Sequence, residues 1–198
     1  DLAWSRGLGD VYKRQALNRV ERDSKMHAAL CRNLSLAYYS LHHLDSAKHY
    51  SQRGYTESKG ENFYFFLNKA EFSLYNQNFS EAILYFEKAK KEQPETMITY
   101  NSLGMLYGGK YSSQVKNLDK ALENNLKAYH LEPRENVIES LALTYMELEE
   151  WEKSLPLWKK VRQMNPSKME YAFEHGLCIY QNGSTEKGLK LMLSLIHI

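Results

Sequence analysis

Cysteine is scarce: two in 198 residues cannot build a disulfide-rich scaffold. Four prolines and ten glycines exclude collagen-like and Gly/Pro-rich chains. Charge of one sign is also missing. Against 26 Lys and Arg stand 24 Asp and Glu, so the net charge of +2 gives no strong field for nucleic acid or an anionic membrane. No apolar run approaches the ~20 residues that span a bilayer. The catalytic and zinc signatures HExxH, CxxC and GxSxG do not occur. Apolar and aromatic material is abundant instead, at 43% and 13%, too much for a disordered tail. The length suits one ordinary domain or a small repeat array.

The two ends share a peculiarity at the codon level. Asp10–Gln15 reads DVYKRQ, and Leu193–Ile198 reads LSLIHI. One codon set for the first is GAT GTG TAT AAG AGA CAG. Its reverse complement, CTG TCT CTT ATA CAC ATC, translates to the second. Residues 1–15 and 193–198 thus resemble translated sequencing-library adapter, and fold reasoning is confined to residues 16–192. The expectation is a fragment whose natural termini both lie elsewhere.

Within that span a period is visible. LDSA at Leu44–Ala47 aligns with FSEA at Phe79–Ala82, LDKA at Leu118–Ala121, WEKS at Trp151–Ser154 and TEKG at Thr185–Gly188. The final small residues are spaced 35, 39, 33 and 34 apart. Pro94, Pro133 and Pro166 each follow their block by 12 residues, where proline ends a helix. Upstream of the blocks lie LSLAYY at Leu34–Tyr39, LGMLY at Leu103–Tyr107, LALTY at Leu141–Tyr145 and HGLCIY at His175–Tyr180. Their apolar residues recur at i, i+3, i+4 and i+7, as in Leu34, Ala37, Tyr38 and Leu41, which is a helix period. Each unit therefore reads as two antiparallel helices joined by short turns.

The chain resembles the tetratricopeptide repeat (TPR) family. Leu103, Gly104 and Tyr107 match the family's Leu-Gly-x-x-Tyr element outright. Leu141, Ala142 and Tyr145 match it with alanine for glycine, and Leu34, Ser35 and Tyr38 with serine. Ala82, Phe86, Ala89 and Pro94 meet the second-helix pattern in full. Ala121, Ala128 and Pro133 meet it too, but Asn125 replaces the aromatic. Ser154, Trp158, Val161 and Pro166 match more loosely. Lys69, Ala70 and Ser73 depart from the first-helix motif, and Lys59 stands where the first repeat would close with proline. The resemblance implies an all-α helical-repeat solenoid, a right-handed superhelix of antiparallel helix pairs. Its units fall at about 28–62, 63–96, 97–134, 135–168 and, truncated, 169–192. Short pairs cannot hide their apolar faces alone, so stacked neighbours share one core.

Several features look like chemistry and are read otherwise. Gly104 to Tyr111 matches a phosphate loop up to the Ser or Thr that holds magnesium, but Tyr111 stands there and the segment follows a helix. His27 and Cys31 share a helix face without the further ligands zinc requires, so Cys31 reads as a small hydrophobe. His42 and His43 read as solvated, and His175 as partly buried. Cys31 and Cys178 lie four repeats apart and should be free thiols. That leans toward a reducing compartment, and the expected localisation is bacterial cytoplasm. The longer third unit carries its extra length in Gly108–Asn117, either a tolerated surface insertion or an extra binding loop. Pro156 fits only a first helical turn, so the fourth second-helix is expected to begin at Glu152 or later.

No nucleophile with a positioned base is visible, so the expectation is no enzyme, no cofactor and no metal. The resemblance implies a concave surface lined by first helices, used to hold a peptide or helix of a protein partner. Carried over residue by residue, that surface presents Arg32, Asn33, Leu36, Tyr39, Tyr64, Leu67, Asn68, Glu71, Leu74, Tyr75, Asn101 and Met105. Glu139, Leu143, Met146 and Glu147 extend it. Leu36, Leu67 and Glu71 stand where the family's chaperone-binding branch has its polar carboxylate grips, which argues against that mode. Tyr39, Tyr64, Leu67 and Tyr75 are expected to converge on one patch, with Arg32 and Glu71 setting the polarity of a bound segment. Several of these leucines and methionines have an alternative place inside the array. The expected function is a protein-interaction scaffold; the alternative is a sensing or assembly arm of a larger regulator or enzyme. No nucleic-acid partner and no membrane insertion are expected.

Overall fold

A computed structural model describes residues 24–195, together with Gln15, Leu17 and residues 19–21. The adapter-like ends lie outside the described residues, apart from Gln15 and residues 193–195. The described residues form ten α-helices and no strand: α1 Lys25–Ser40, α2 Leu44–Thr56, α3 Phe63–Tyr75, α4 Phe79–Glu92, α5 Met97–Tyr107, α6 Leu118–Leu131, α7 Glu135–Glu147, α8 Trp151–Met164, α9 Met169–Gln181 and α10 Thr185–Leu193. A single 3-10 turn, Ser113–Val115, lies between α5 and α6. The chain divides into two compact units after Pro94.

Local chemistry sets the helix starts. The Ser24 hydroxyl accepts from the His27 N–H. Asn62 accepts from Tyr64 and Phe65, Asn78 from Glu81, and Asn117 from Lys120. Each side chain satisfies donors that a helix N-terminus leaves orphaned. The stops within each pair follow one rule. The second residue after the first helix is left-handed: His42, Gln77, Gly109, Glu149 and Gly183. The next N–H then returns to the last turn, as His43 does to Tyr38, Asn78 to Ser73 and Glu150 to Tyr145. This is the Schellman stop, normally built on glycine. Three of the five positions hold His, Gln or Glu, so composition could not mark them.

The period-defining small residues lie at the closest approaches. Ala47, Ala82, Ala121 and Ser154 are fully buried. A Cβ on Gly188 would stand 2.6 Å from the Gly176 carbonyl oxygen, so α9 and α10 meet backbone to backbone. In the first unit α1 packs on α2, α2 on α3 and α3 on α4, while α1 also touches α3. In the second, the succession runs from α5 to α10, with α5 touching α7. First helices thus neighbour one another and make one face of each unit. An apolar cluster of the second unit joins Ile138, Ala142, Trp158, Val161, Tyr171 and Cys178. Cys31 and Cys178 are buried free thiols, and burial pushes the Cys31 thiol up to about 11.

One expected boundary is corrected. α8 begins at Trp151, not at Glu152 or later, because the Glu150 carbonyl already accepts from Lys153 and Ser154. Pro156 therefore sits in the second turn. It offers no N–H to the carbonyl of Glu152, an exposed residue. Pro156→Ala should restore the helical bond and stabilise the second unit by about 1–3 kcal/mol. Thermal unfolding checks this, and an unchanged or lower midpoint would count against it.

Candidate interaction face of the first unit

Helix geometry sets Arg32, Leu36 and Tyr39 along one side of α1, at spacings of four and three residues. The contact of α1 with α3 brings two of them against partners. Arg32 Nη2 lies 2.8 Å from Glu71 Oε1. The Tyr39 and Tyr75 rings stack with centroids 4.9 Å apart and planes 21° from parallel. Ser35, fully buried, donates from Oγ to the Ala47 carbonyl at 2.9 Å and lies 3.3 Å from the Tyr75 hydroxyl. Tyr75 is thus a fixed platform, 5% exposed, and Tyr39 covers it while remaining 38% exposed. Leu36 is exposed to a similar degree, and Asn33 is exposed beside it.

Several expected face residues are interior and are corrected here. Leu67 and Asn68 are fully buried. Asn68 Nδ2 donates to the Ala28 carbonyl at 2.9 Å and the Tyr64 carbonyl at 2.8 Å, which ties α3 to α1. Glu71 is 3% exposed, and it is consumed by Arg32. The pair therefore cannot set the polarity of a bound segment, as each group already answers the other. Burial raises the Glu71 pKa, with the Arg32 guanidinium opposing that rise. Asn101, in the second unit, is buried and directs its amide to Met105 Sδ at 3.4 Å.

The expected four-residue patch does not form as one. Tyr64 and Tyr75 stand eleven residues apart on one helix, about 16 Å at 1.5 Å per residue. Tyr64 and Leu74 are half-buried, as is Met105. Glu139 and Met146 serve partly as structural acceptors, Glu139 for the Tyr171 hydroxyl at 2.7 Å and Met146 Sδ for the Trp158 indole at 2.9 Å. Leu143 packs on the second unit's core and Glu147 holds Lys116. One contributor was missed. Leu44, at the start of α2, is 42% exposed and borders a hollow with Tyr39, Ser40 and His42. Its place at the head of the LDSA block was visible in the sequence, but the left-handed His42 that turns it beside Tyr39 was not.

His27 is 1% exposed, with Nε2 3.3 Å from Glu57 Oε2. Among the described residues no three His, Cys, Asp or Glu side chains stand together to hold a metal. No described helix is long and apolar enough to cross a membrane.

No family model and no curated protein matches the chain. Solved structures do. TTC0263, a thermophilic TPR protein of Thermus thermophilus, superimposes with a TM-score of 0.65 at 17% identity, over 83% of this chain and 87% of that one. A tetratricopeptide repeat protein from Parabacteroides merdae gives 0.60 at 14% identity, over 95% and 71%. YrrB, a TPR protein with an unusual peptide-binding site, gives 0.59 at 15% identity, over 90% and 88%. The fold of this chain is accordingly the all-α helical-repeat fold of TPR proteins.

Proposed function

We propose that the chain is a protein-interaction scaffold whose first unit holds a partner segment on the α1–α3 face, with Tyr39 and Leu36 as its apolar anchors. The observation that carries this is the Tyr39–Tyr75 stack: a large, half-open aromatic surface held in one orientation by a buried partner. Rigid aromatics with a hydroxyl handle supply contact area at little entropic cost, the usual character of interface hot spots. The fold likeness to a TPR protein with a peptide-binding site supports the reading. So does the internal pairing of Arg32 with Glu71, which leaves the apolar residues to carry affinity.

The test is a phage-displayed peptide library panned against the full chain, followed by calorimetric titration of selected peptides. Tyr39→Ala should weaken binding by about 1–3 kcal/mol, Leu36→Asp by at least as much, and Tyr39→Phe by much less. Salt should matter little. Peptides that bind all three folded variants equally would place the site elsewhere on the protein.

A further inference from the structure

The first-helix pattern puts leucine just before its small residue. Leu34, Leu103 and Leu141 fill that place, all at 2% exposure or less. In the second repeat Lys69 stands there, its ammonium set against the Tyr55, Phe65 and Tyr85 rings. In the fifth repeat His175 stands there, ahead of Gly176, and no such rings cover it. Its ring is half-buried and meets Arg162 of α8, with Nδ1 3.5 Å from Nη1. Lys159 lies three residues before Arg162, on the same side of α8. Burial first, then Arg162, then Lys159 hold the imidazole below its usual range, so both charges acting on it are positive.

No acid answers these cations. Arg32, Arg53 and Arg134 each hold a glutamate, at 2.8, 2.9 and 2.6 Å. Among the described residues neither Arg162 nor Lys159 has a carboxylate within ion-pair distance. Glu174 is next to His175 in sequence but about 100° away round the helix. Burial and then the Glu139 carboxylate raise its pKa with no cation opposing them, so it lies toward α7. The other cations of α8 are engaged elsewhere: Lys153 with Glu150, and Lys160 with the Tyr129 hydroxyl and ring. Like charges held together without an acid repel, a cost that a bound anion removes.

The donors select among anions. Arg162 offers a planar fork, Lys159 an ammonium on a flexible stem, and His175 a ring nitrogen that can donate. One guanidinium already satisfies a planar carboxylate. Three donor groups from two helices suit a tetrahedral oxyanion better. Two fixed positive charges also match the roughly −1.5 to −2 of a phosphoryl group near pH 7. We propose that Arg162, Lys159 and His175 form a subsite for a phosphoryl group, borne by a partner side chain or free in solution. It stands independently of the α1–α3 reading: either site can fail with the other intact.

The probes are inorganic phosphate, N-acetyl-O-phosphoserine methylamide and N-acetyl-glutamate methylamide, each titrated at fixed pH and ionic strength into the full ¹³C,¹⁵N-labelled chain. The His175 ring resonances are observed, assigned by their absence in His175→Leu, which restores the residue of three other repeats. Saturable shifts from both phosphoryl probes are expected, about tenfold tighter than from the capped glutamate. Arg162→Gln should weaken them about tenfold and Lys159→Gln severalfold, with helicity unchanged. Were His175→Leu to unfold, the ring would be assigned through its backbone, and the two α8 variants would still decide. Capped phosphoserine binding at least as tightly as phosphate assigns the subsite to a phosphorylated partner, and the reverse order to the free ion. Equal binding of the capped glutamate, no saturable shift, or affinity untouched by Arg162→Gln overturns the proposal.

Discussion

Glu71→Leu alone should cost the first unit about 3–5 kcal/mol, whereas Arg32→Met combined with Glu71→Leu should return most of that loss. The pair is nearly sealed: side-chain exposures are 11% for Arg32 and 4% for Glu71, with 2.8 Å between them. Removing the carboxylate leaves a guanidinium at the α1–α3 contact with nothing to answer it. Removing both charges replaces a desolvated pair with packing, which is often neutral or better. Glu71 Oε2 and Arg32 Nε have no hydrogen-bond partner, so the pair is incompletely compensated and the double replacement has room to gain. The pH dependence follows from the raised Glu71 pKa, caused first by burial and opposed by Arg32. A carboxyl with a raised folded pKa takes its proton more readily folded than unfolded. Its contribution is complete below the ordinary glutamate pKa and is lost as pH rises through the folded value. Wild-type stability, measured against the double variant, should therefore rise as pH falls through that window. Urea unfolding followed by helical circular dichroism across a pH series checks both statements. A neutral Glu71→Leu, or a pH-independent difference, would contradict them.

Gly54→Ala should destabilise the first unit by about 2–4 kcal/mol. Alanine is the better helix former by up to ~1 kcal/mol, so propensity predicts the opposite sign. Tertiary contact decides it. A Cβ on Gly54 would stand 2.3 Å from Asn68 Cγ and Oδ1. Asn68 cannot swing away cheaply, because its amide holds the Ala28 and Tyr64 carbonyls. Moving it strips the buried Asn68 amide of both acceptors, while the two carbonyls keep their own helical bonds. In an Asn68→Ala background, Gly54→Ala should be close to neutral, since the obstacle is gone. That non-additivity is the signature of direct contact. If the two substitutions add, the glycine is required for some other reason and the clamp is misidentified.

The repeat was legible because its markers answer to backbone proximity alone. Ala47, Ala82, Ala121, Ser154 and Gly188 recur where two helices approach too closely for a larger side chain, and all five are buried. Helix pairing, the long third repeat and the free cysteines follow from the same spacing. The absence of glycine hid three of the five turns, since His42, Gln77 and Glu149 are held left-handed by the Schellman bonds around them.

The candidate face was half legible. On α1 the family resemblance chose Arg32, Asn33, Leu36 and Tyr39, and the structure leaves Asn33, Leu36 and Tyr39 open. On α3 the same reasoning chose Tyr64, Leu67, Asn68, Glu71, Leu74 and Tyr75, of which Tyr64 and Leu74 are half-buried and the other four buried. A helix period says which residues share a side of their own helix. It does not say how much of that side a neighbouring helix covers, because this depends on the close approach of α1 to α3 and on which side chains meet there. The sequence by itself thus determined an all-α array of helix pairs with small residues at its contacts. Only the tertiary structure decided that Arg32 is spent on Glu71, that Tyr75 supports Tyr39, and that Asn125 faces a cavity where its counterparts Phe86 and Trp158 fill the core, since each depends on contacts between residues distant along the chain.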